Sequence, residues 1–334
     1  MIGFLTRRIA LAVLTSIVIS AVSFLVITLP PGDFATTYVQ TLLGGEFHQF
    51  QQRNVDRALE EQIRSELGLD QPLIVQYAKW GWHVLTLDFG TSIFHKAKIT
   101  EVVGQRLVNT VLVALGTILF TWVLAIPIGI YSALRHNTPG DYIVTFVGFL
   151  GLAIPDFLLA LVLMWIGFAY FDISVGGLFS TPYLDAAWSF DRFVDLLKHL
   201  WAPAVVLGTA GTAGLIRILR NNLLDELAKP YVVAARARGV SEWKLVFKYP
   251  VRIALNPFIS TLGYLLPFLM SGSIIVSVVL SLPTLGPILL QALMAEDLYL
   301  AATIVLLLGM LTIIGTLISD ILLVILDPRI KLES

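Results

Sequence analysis

Six apolar stretches, each long enough to cross a lipid bilayer as a helix, constrain this chain more than any other feature. A bilayer core about 30 Å thick needs roughly 20 apolar residues in a helix. Stretches of about this length lie at residues 9–29, 107–134, 142–170, 200–219, 257–280 and 301–326. With 57% hydrophobic and only 13% charged residues, the chain is far more apolar than a soluble domain. The sequence therefore predicts an all-α polytopic membrane protein with about six transmembrane helices.

The distribution of charge predicts the topology. An even number of spans puts both termini on one side, and the side rich in Lys and Arg is cytoplasmic. With both termini inside, the inner segments hold 13 basic and six acidic residues, whereas the outer segments hold nine basic and 15 acidic residues. We therefore expect cytoplasmic N and C termini. The first stretch is longer than the apolar region of a signal peptide, and we expect it to be a retained anchor.

A long polar segment, residues 30–106, separates the first two spans and is predicted to form an extracytoplasmic subdomain. Its Trp80, Trp82 and Phe89 either lie at the lipid headgroups, where amphipathic aromatic side chains are enriched, or form a small core under the loop. The predicted division of the chain is residues 1–29 for the N-terminal tip and first span, 30–106 for the subdomain, 100–327 for the remaining spans and 328–334 for a cytoplasmic tail.

The most basic cytoplasmic stretch, residues 231–250, reads "YVVAARARGVSEWKLVFKYP". Pro230 suits the first turn of a helix, and Gly239 can adopt the left-handed conformation that closes one. Ser241 can cap a second helix, which must end near Pro250 because proline lacks a backbone donor. The sequence predicts two short helices joined by a tight turn.

Two interpretations of this helix pair are open from the residues alone. Ala234, Ala235 and Ala237 leave the first helix slim enough to enter a groove, while Arg236 and Arg238 can pair with carboxylates of a partner. Alternatively, the stretch is a juxtamembrane basic segment attracted to anionic lipid. Charge alone favours the lipid interpretation.

Motifs along nearly the whole chain change that balance. Five motifs follow one another in an order that resembles the permease subunits of ABC importers. They read "LTRRIALAVLTSIVISAVSFLVITLPPGD", "LGLDQPLIVQYAKW", "RLVNTVLVALGTILFTWVLAIPIGI", "AIPDFLLALVLM" and "ILLVILDPRI". The basic stretch resembles the coupling loop, or EAA loop, of the peptide/nickel branch, which reads close to Y-V-x-x-A-R-A-K-G-x-S. The matching positions are Tyr231, Val232, Ala235, Arg236, Ala237, Arg238, Gly239 and Ser241. The sequence departs from the pattern at Val233, where the general motif has glutamate, and in "KYPVRIALNP".

The resemblance implies a type I ABC importer transmembrane fold in the inner membrane. It implies that the chain forms half of a translocation pathway with a second homologous permease, two ATPase subunits and an extracytoplasmic substrate-binding protein. Oligopeptides or dipeptides are the expected cargo, and oligosaccharides or nickel chelates stay open. A coupling loop at residues 220–256 is expected to contact the ATPases, chiefly through Tyr231, Ala234, Ala235, Arg236, Ala237, Arg238, Gly239 and Ser241.

No residue pattern predicts catalysis in this chain. None of the eight lysines precedes Ser or Thr, so the phosphate-binding motif of an ATPase is missing, and the five histidines lack zinc-site spacing. We expect no catalytic, cofactor-binding or metal-binding residue and no nucleic-acid partner, with ATP and Mg²⁺ bound on the partner ATPases. An ion-coupled secondary transporter is the weaker alternative, because we find no internal repeat and only one convincing intramembrane acid.

That acid is Asp156, which follows Pro155 in the third apolar stretch. A carboxylate at mid-span is costly in lipid, so it is expected to face a pathway for a cationic or amine-bearing substrate, or to be a protonated or paired acid between helices. Pro155 can bend its helix towards a cavity.

In "SLPTLGPILLQALMAED" the turn-forming residues predict a re-entrant outer loop, and the resemblance implies a role for such a loop in the outer gate. The residues concerned are Pro283, Gly286 and Pro287.

Overall fold

The structure, a computed structural model, describes residues 2–29, 34–42, 53–66, 68–184, 186–260 and 274–326. A small antiparallel ribbon, β1 Thr91–Ser92 and β2 Ala97–Lys98, pairs Thr91 with Lys98. The rest of the regular structure in these ranges is helical, with one short 3-10 turn at Thr181–Tyr183. The helices are α1 Ile2–Ile27, α2 Phe34–Leu42, α3 Arg53–Glu66, α4 Leu73–Leu85, α5 Ile99–Leu134, α6 Pro139–Ala153, α7 Asp156–Phe171, α8 Phe190–Leu227, α9 Pro230–Ala237, α10 Glu242–Lys248, α11 Pro250–Ala254, α12 Asn256–Ser260, α13 Leu285–Met294 and α14 Leu298–Leu326.

Four of the described helices, α1, α5, α8 and α14, are long and apolar enough to cross a membrane, and the α6–α7 pair makes up to five spans. The predicted span at 257–280 falls largely on residues 261–273, which lie outside the described ranges, as does the tail at 328–334. The number of six spans and the side of the termini therefore stay predictions.

The third apolar stretch is not the single continuous span that the sequence predicts. It consists of α6 and α7, which are bent by 98° relative to each other. Pro155 is the cause, because proline disfavours the helical conformation of the residue before it, and Ile154 has an extended ψ of 122°. The backbone stays hydrogen-bonded at the break: the Ile154 amide donates to the Leu150 carbonyl over 3.2 Å, and the Pro155 carbonyl accepts from Leu158.

The chain divides into two compact units, and the larger one comprises Met1–Phe4, Asn109–Pro283 and Leu311–Ser334. Helix α8, with 38 residues, is its central element and packs on α6, α7 and α11. One apolar cluster joins the C-terminal parts of α5 and α8 to α9, α10 and α11, and includes Leu219, Leu223, Val232 and Leu245. A second cluster lies towards the other end of α8.

The Arg192 side chain lies against two aromatic rings and orders the segment before α8. The Arg192 guanidinium lies 4.6 Å from the ring centre of Phe179 and 4.7 Å from that of Trp188, and it donates to the Leu184 and Ala186 carbonyls. These cation–π contacts and hydrogen bonds offset most of the cost of burying the Arg192 guanidinium. The predicted outer segment is therefore a structured loop that continues into α8.

The second unit comprises Leu5–Val108 and Thr284–Met310. Its α4 packs between α1 and the start of α14, in a cluster of Phe24, Trp80, Leu298, Ala302 and Leu306. Trp80 is 2% exposed and donates its indole N–H to Thr303 Oγ1 over 3.1 Å. For Trp80, the small-core alternative is therefore confirmed.

Helices α5 and α8 approach so closely that a Cβ atom at some glycine positions of their interface would force a neighbouring side chain to shift. A Cβ atom built on Gly208 would lie 2.8 Å from Phe120 Cδ1 and 3.0 Å from Thr121 Oγ1. Close helix contact at small residues is the usual packing mode in membranes, where lipid is as apolar as the side chains and adds no hydrophobic force between helices.

We predict that Gly208→Ala lowers the free energy of unfolding by about 1 kcal/mol, because overpacking costs about 1–3 kcal/mol and outweighs the gain in helix propensity of about 1 kcal/mol. Gly214→Ala on the same helix is the matched control, since no atom lies within 4 Å of its added Cβ. Unfolding in mixed micelles with increasing dodecyl sulfate measures both. Equal stability of the two variants would contradict this packing argument.

Candidate functional site

The two predicted short helices of the basic stretch are present as α9 and α10. Gly239 lies between them with φ of +74°, which confirms the predicted left-handed turn. The Gly239 amide donates to the Arg236 carbonyl over 3.0 Å, and the Val240 amide donates to the Ala235 carbonyl over 3.3 Å. This pair of bonds is the Schellman closure of a helix, which strongly favours glycine at the left-handed position. Helix α10 then ends at Lys248, before Pro250 begins α11.

The faces of α9 differ from what the sequence suggests. Val232 is buried in the cluster beneath the loop, and Ala235 is half-buried against the same cluster. Ala234 and Ala237 are exposed. Val233 is 55% exposed, although it is apolar and precedes them. The small residues that are free to meet a partner are therefore Ala234 and Ala237, while Ala235 serves mainly the internal packing.

Arg236 has a carboxylate partner within the chain itself. Its Nε donates to Glu242 Oε1 over 2.6 Å and its Nη2 to Glu242 Oε2 over 3.2 Å. The hydrogen bond from Arg236 lowers the pKa of the Glu242 carboxyl. This exposed pair bridges α9 and α10 across the turn. Arg238 is also exposed and is the C-cap residue of α9, where the turn begins.

Two further predicted positions have local roles. The Tyr231 hydroxyl donates to Glu226 Oε2 over 2.7 Å. Burial and this bond raise the pKa of the Tyr231 phenol well above its usual value. Ser241 occupies the cap position before α10, as predicted, but its side chain makes no capping hydrogen bond there. The left-handed Gly239 therefore shapes the turn, and the Ser241 side chain adds no hydrogen bond to it.

Sequence reasoning missed an exposed aromatic pair on α10. The rings of Trp243 and Phe247 stack with centroids 5.3 Å apart, and the side chains are 73% and 46% exposed. Leu245 and Val246 on the opposite face are buried. The sequence did carry a signal for this pair: Trp243 and Phe247 are four residues apart, so they lie on one side of a short helix. The other apolar residues of that helix form an inner face.

A buried carboxylate connects this loop to the membrane helices. Asp141, at the start of α6, is 1% exposed and accepts hydrogen bonds from Arg220 Nε at 2.9 Å and Arg220 Nη2 at 2.8 Å. It also accepts from the Ser132 hydroxyl of α5 and from the Asn137 amide at 3.0 Å. Arg220 lies on α8, two turns before this helix gives way to α9. Three helices therefore meet at one carboxylate.

Asp156 is the first residue of α7, directly after the bend at Pro155. Its side chain is partly buried, and among the described residues no hydrogen bond or ion pair reaches the carboxylate. The N-terminal end of a helix carries partial positive charge, which favours a carboxylate there. The bend therefore places an acid with unused acceptor capacity at a break in an apolar span.

The predicted outer-gate residues surround the start of a short apolar helix. Pro283 accepts a hydrogen bond on its carbonyl from Asn109 Nδ2 at 2.9 Å. Gly286 and Pro287 lie in the first turn of α13, which has 10 residues and is too short to cross a bilayer. This length agrees with a re-entrant loop, and the gating role stays a prediction.

Long apolar helices, a proline-broken span and a pair of short helices on an apolar base define a polytopic helical membrane protein. The family described as "Binding-protein-dependent transport system inner membrane component" matches residues 125–332, and its N-terminal counterpart matches residues 1–114. The chain belongs to this family, as a multi-pass inner-membrane permease of an ABC importer in the peptide/nickel group.

Relatives of the chain match along its whole length. The oligopeptide transport system permease protein AppB of Bacillus subtilis is 33% identical, covering 99% of this chain and 100% of the relative. The glutathione permease GsiC of Salmonella paratyphi A and the dipeptide permease DppB of Escherichia coli are 29% and 26% identical, each covering 99% of both chains. An inward-facing methionine ABC transporter, MetNI, shares the fold with a TM-score of 0.55 and 17% identity, over 68% of this chain and 97% of that one.

We predict that Asp141→Asn lowers the free energy of unfolding by about 3 kcal/mol, because it leaves the Arg220 charge without its buried partner. Arg217→Gln, an exposed charge one turn away on α8, is the matched control and should change stability little. The measurement is unfolding in mixed micelles at constant pH. A loss no larger than that of the control would show that the pair contributes nothing to the fold.

Proposed function

We propose that this chain forms half of the translocation pathway of an ATP-driven importer and takes up oligopeptides or dipeptides. In this proposal it pairs with a second, similar permease, two ATPase subunits and a substrate-binding protein outside the membrane. It has no catalytic role itself, since ATP and Mg²⁺ are bound by the ATPases. Full-length similarity to permeases named for peptide transport is the observation that carries the proposal.

The surface of the basic loop supports a docking role for it. The exposed Ala234 and Ala237 leave room on α9 for a partner's groove, and the exposed Val233 adds apolar area beside them. On α10 the stacked Trp243 and Phe247 offer rigid aromatic area of the kind that anchors protein interfaces. A lipid-anchoring segment would depend on its charges instead. Apolar and small residues on the exposed side therefore favour the ATPase as the partner.

The loop is also built to transmit movement. Val232 fixes α9 to the cluster that contains Leu219 and Leu223 of α8. Arg220 lies between those two leucines in α8, and its pair with Asp141 continues the connection to α5 and α6. A displacement of α9 by an ATPase would therefore move the ends of three long helices rather than a single flexible loop.

We predict that Ala234→Trp releases the ATPase subunits or uncouples hydrolysis from uptake, because an indole on the exposed face of α9 blocks seating in a groove. Arg238→Gln tests the lipid alternative, because it removes an exposed charge without adding bulk. The measurements are ATPase co-purification and uptake by reconstituted vesicles, with micelle unfolding as the check on the fold.

The two interpretations give opposite patterns. If the loop docks on the ATPase through its small residues, Ala234→Trp loses ATPase while Arg238→Gln retains most of it. If the loop anchors to anionic lipid, Arg238→Gln is the harmful change and Ala234→Trp is tolerated. Normal uptake by a correctly folded Ala234→Trp protein would overturn the docking proposal.

We predict that Asp156→Asn changes peptide uptake without lowering the yield of the complex, because an acid at the broken span would meet the amino group of a passing peptide. Asp172→Asn is the matched control: it lies exposed at the other end of α7, in a left-handed conformation that asparagine tolerates. Uptake and stimulated ATPase activity are measured together. Loss of complex yield with Asp156→Asn would assign the residue a structural role instead.

A further inference from the structure

Helix α4 of the second unit has three distinct faces. Gln76, Tyr77, Trp80 and Val84 face the rest of the unit and are buried or half-buried. Ile74, Ala78, Trp82 and Leu85, which lie on the same side of a helix at spacings of three and four residues, are exposed. The exposed fractions are 81% for Ile74, 67% for Trp82 and 79% for Leu85. Between these two faces lies a polar strip with Lys79 and His83.

The buried face fixes the depth of α4 beside the spans. The Tyr77 hydroxyl hydrogen-bonds Ser20 Oγ at 2.8 Å, and Trp80 donates to Thr303. Ser20 lies seven residues before the end of α1, and Thr303 lies five residues after the start of α14. At 1.5 Å per residue these contacts are about 10 Å and about 8 Å inside the two helix ends. Helix α4 therefore lies level with the last two turns of α1 and the first two turns of α14.

This depth is that of the interface between headgroups and acyl chains, where an amphipathic helix buries its apolar face by about 5–10 Å. Tryptophan is enriched there because its indole is apolar with one polar N–H, and a basic side chain beside it can reach the phosphates. Helix α1 is also exposed and apolar in this depth range, at Leu25 and Val26 near its end.

We propose that α4 is an interfacial helix whose Ile74, Trp82 and Leu85 face inserts into the lipid leaflet at the C-terminal end of α1, the outer leaflet in the predicted topology. Trp80 attaches the helix to the spans, and Trp82, two residues later, attaches it to lipid. The polar strip with Lys79 and His83 lies along the headgroups. Through α4, the unit that carries the extracytoplasmic helices is held at a fixed height on the membrane.

The chain contains no cysteine, so with cysteine-free partner subunits a single introduced cysteine can be labelled without background. Ile74→Cys and Leu85→Cys are each labelled with bimane in the full chain, purified with its partner subunits and reconstituted into phosphatidylcholine vesicles. Glu61→Cys on the exposed side of α3 is the water-facing control, and Val18→Cys on the exposed side of α1 is the deep control. The quenchers are a lipid nitroxide near the headgroup, a lipid nitroxide near the chain end, and iodide in water.

We predict that the headgroup-side nitroxide quenches the Ile74→Cys and Leu85→Cys labels at least about threefold more than the Glu61→Cys label, because contact quenching requires the two groups to lie at one depth. The chain-end nitroxide should be the stronger lipid quencher only for Val18→Cys.

Two results would overturn the proposal. If iodide quenches the α4 labels as strongly as the Glu61→Cys label and the lipid nitroxides do not, this face lies in water. If neither lipid nitroxide acts and added substrate-binding protein is what shields the labels from iodide, the face belongs to a protein interface. Because uptake is not measured, neither result depends on which substrate the importer carries.

Discussion

The bidentate pair between Arg220 and Asp141 is the interaction on which the described structure around the basic loop depends. A carboxylate with almost no exposure is costly unless every oxygen lone pair is used, and here the Arg220 fork, a hydroxyl and a backbone amide use them. The donors come from α5, the following turn and α8, so the ends of these elements cannot shift independently. Helix α9 lies on the apolar cluster that this pair adjoins.

The rest of the larger unit follows from what a lipid environment demands of a backbone. Every amide must find an internal acceptor, which favours long helices and allows an interruption only where neighbouring groups compensate. The bend at Pro155 meets this demand because the Ile154 amide and the Pro155 carbonyl are both paired. Close packing at Gly208 then holds α8 against α5 without help from a hydrophobic force.

The functional assignment and the site assignment have different foundations. Membership of the importer permease family rests on similarity along the whole chain, whereas the role of each loop residue rests on its placement. Placement changed the weight of the individual residues: Ala235 turns inward, Arg236 is occupied by Glu242, and Trp243 and Phe247 become the largest exposed groups on α10. The loop thus presents aromatic and small apolar side chains on its exposed side beside its basic ones.

The sequence by itself determined the helical membrane class and the helix–turn–helix form of the basic stretch, because length, apolarity, proline and glycine act locally. It also located the bend, since Pro155 restricts the residue before it wherever it occurs. Only the tertiary structure decided which of Trp80 and Trp82 is buried, which alanine of α9 faces outward, and that Asp141 pairs with Arg220 across 79 positions. Those outcomes depend on contacts between segments far apart in the chain, and no local pattern specifies which neighbour a side chain meets.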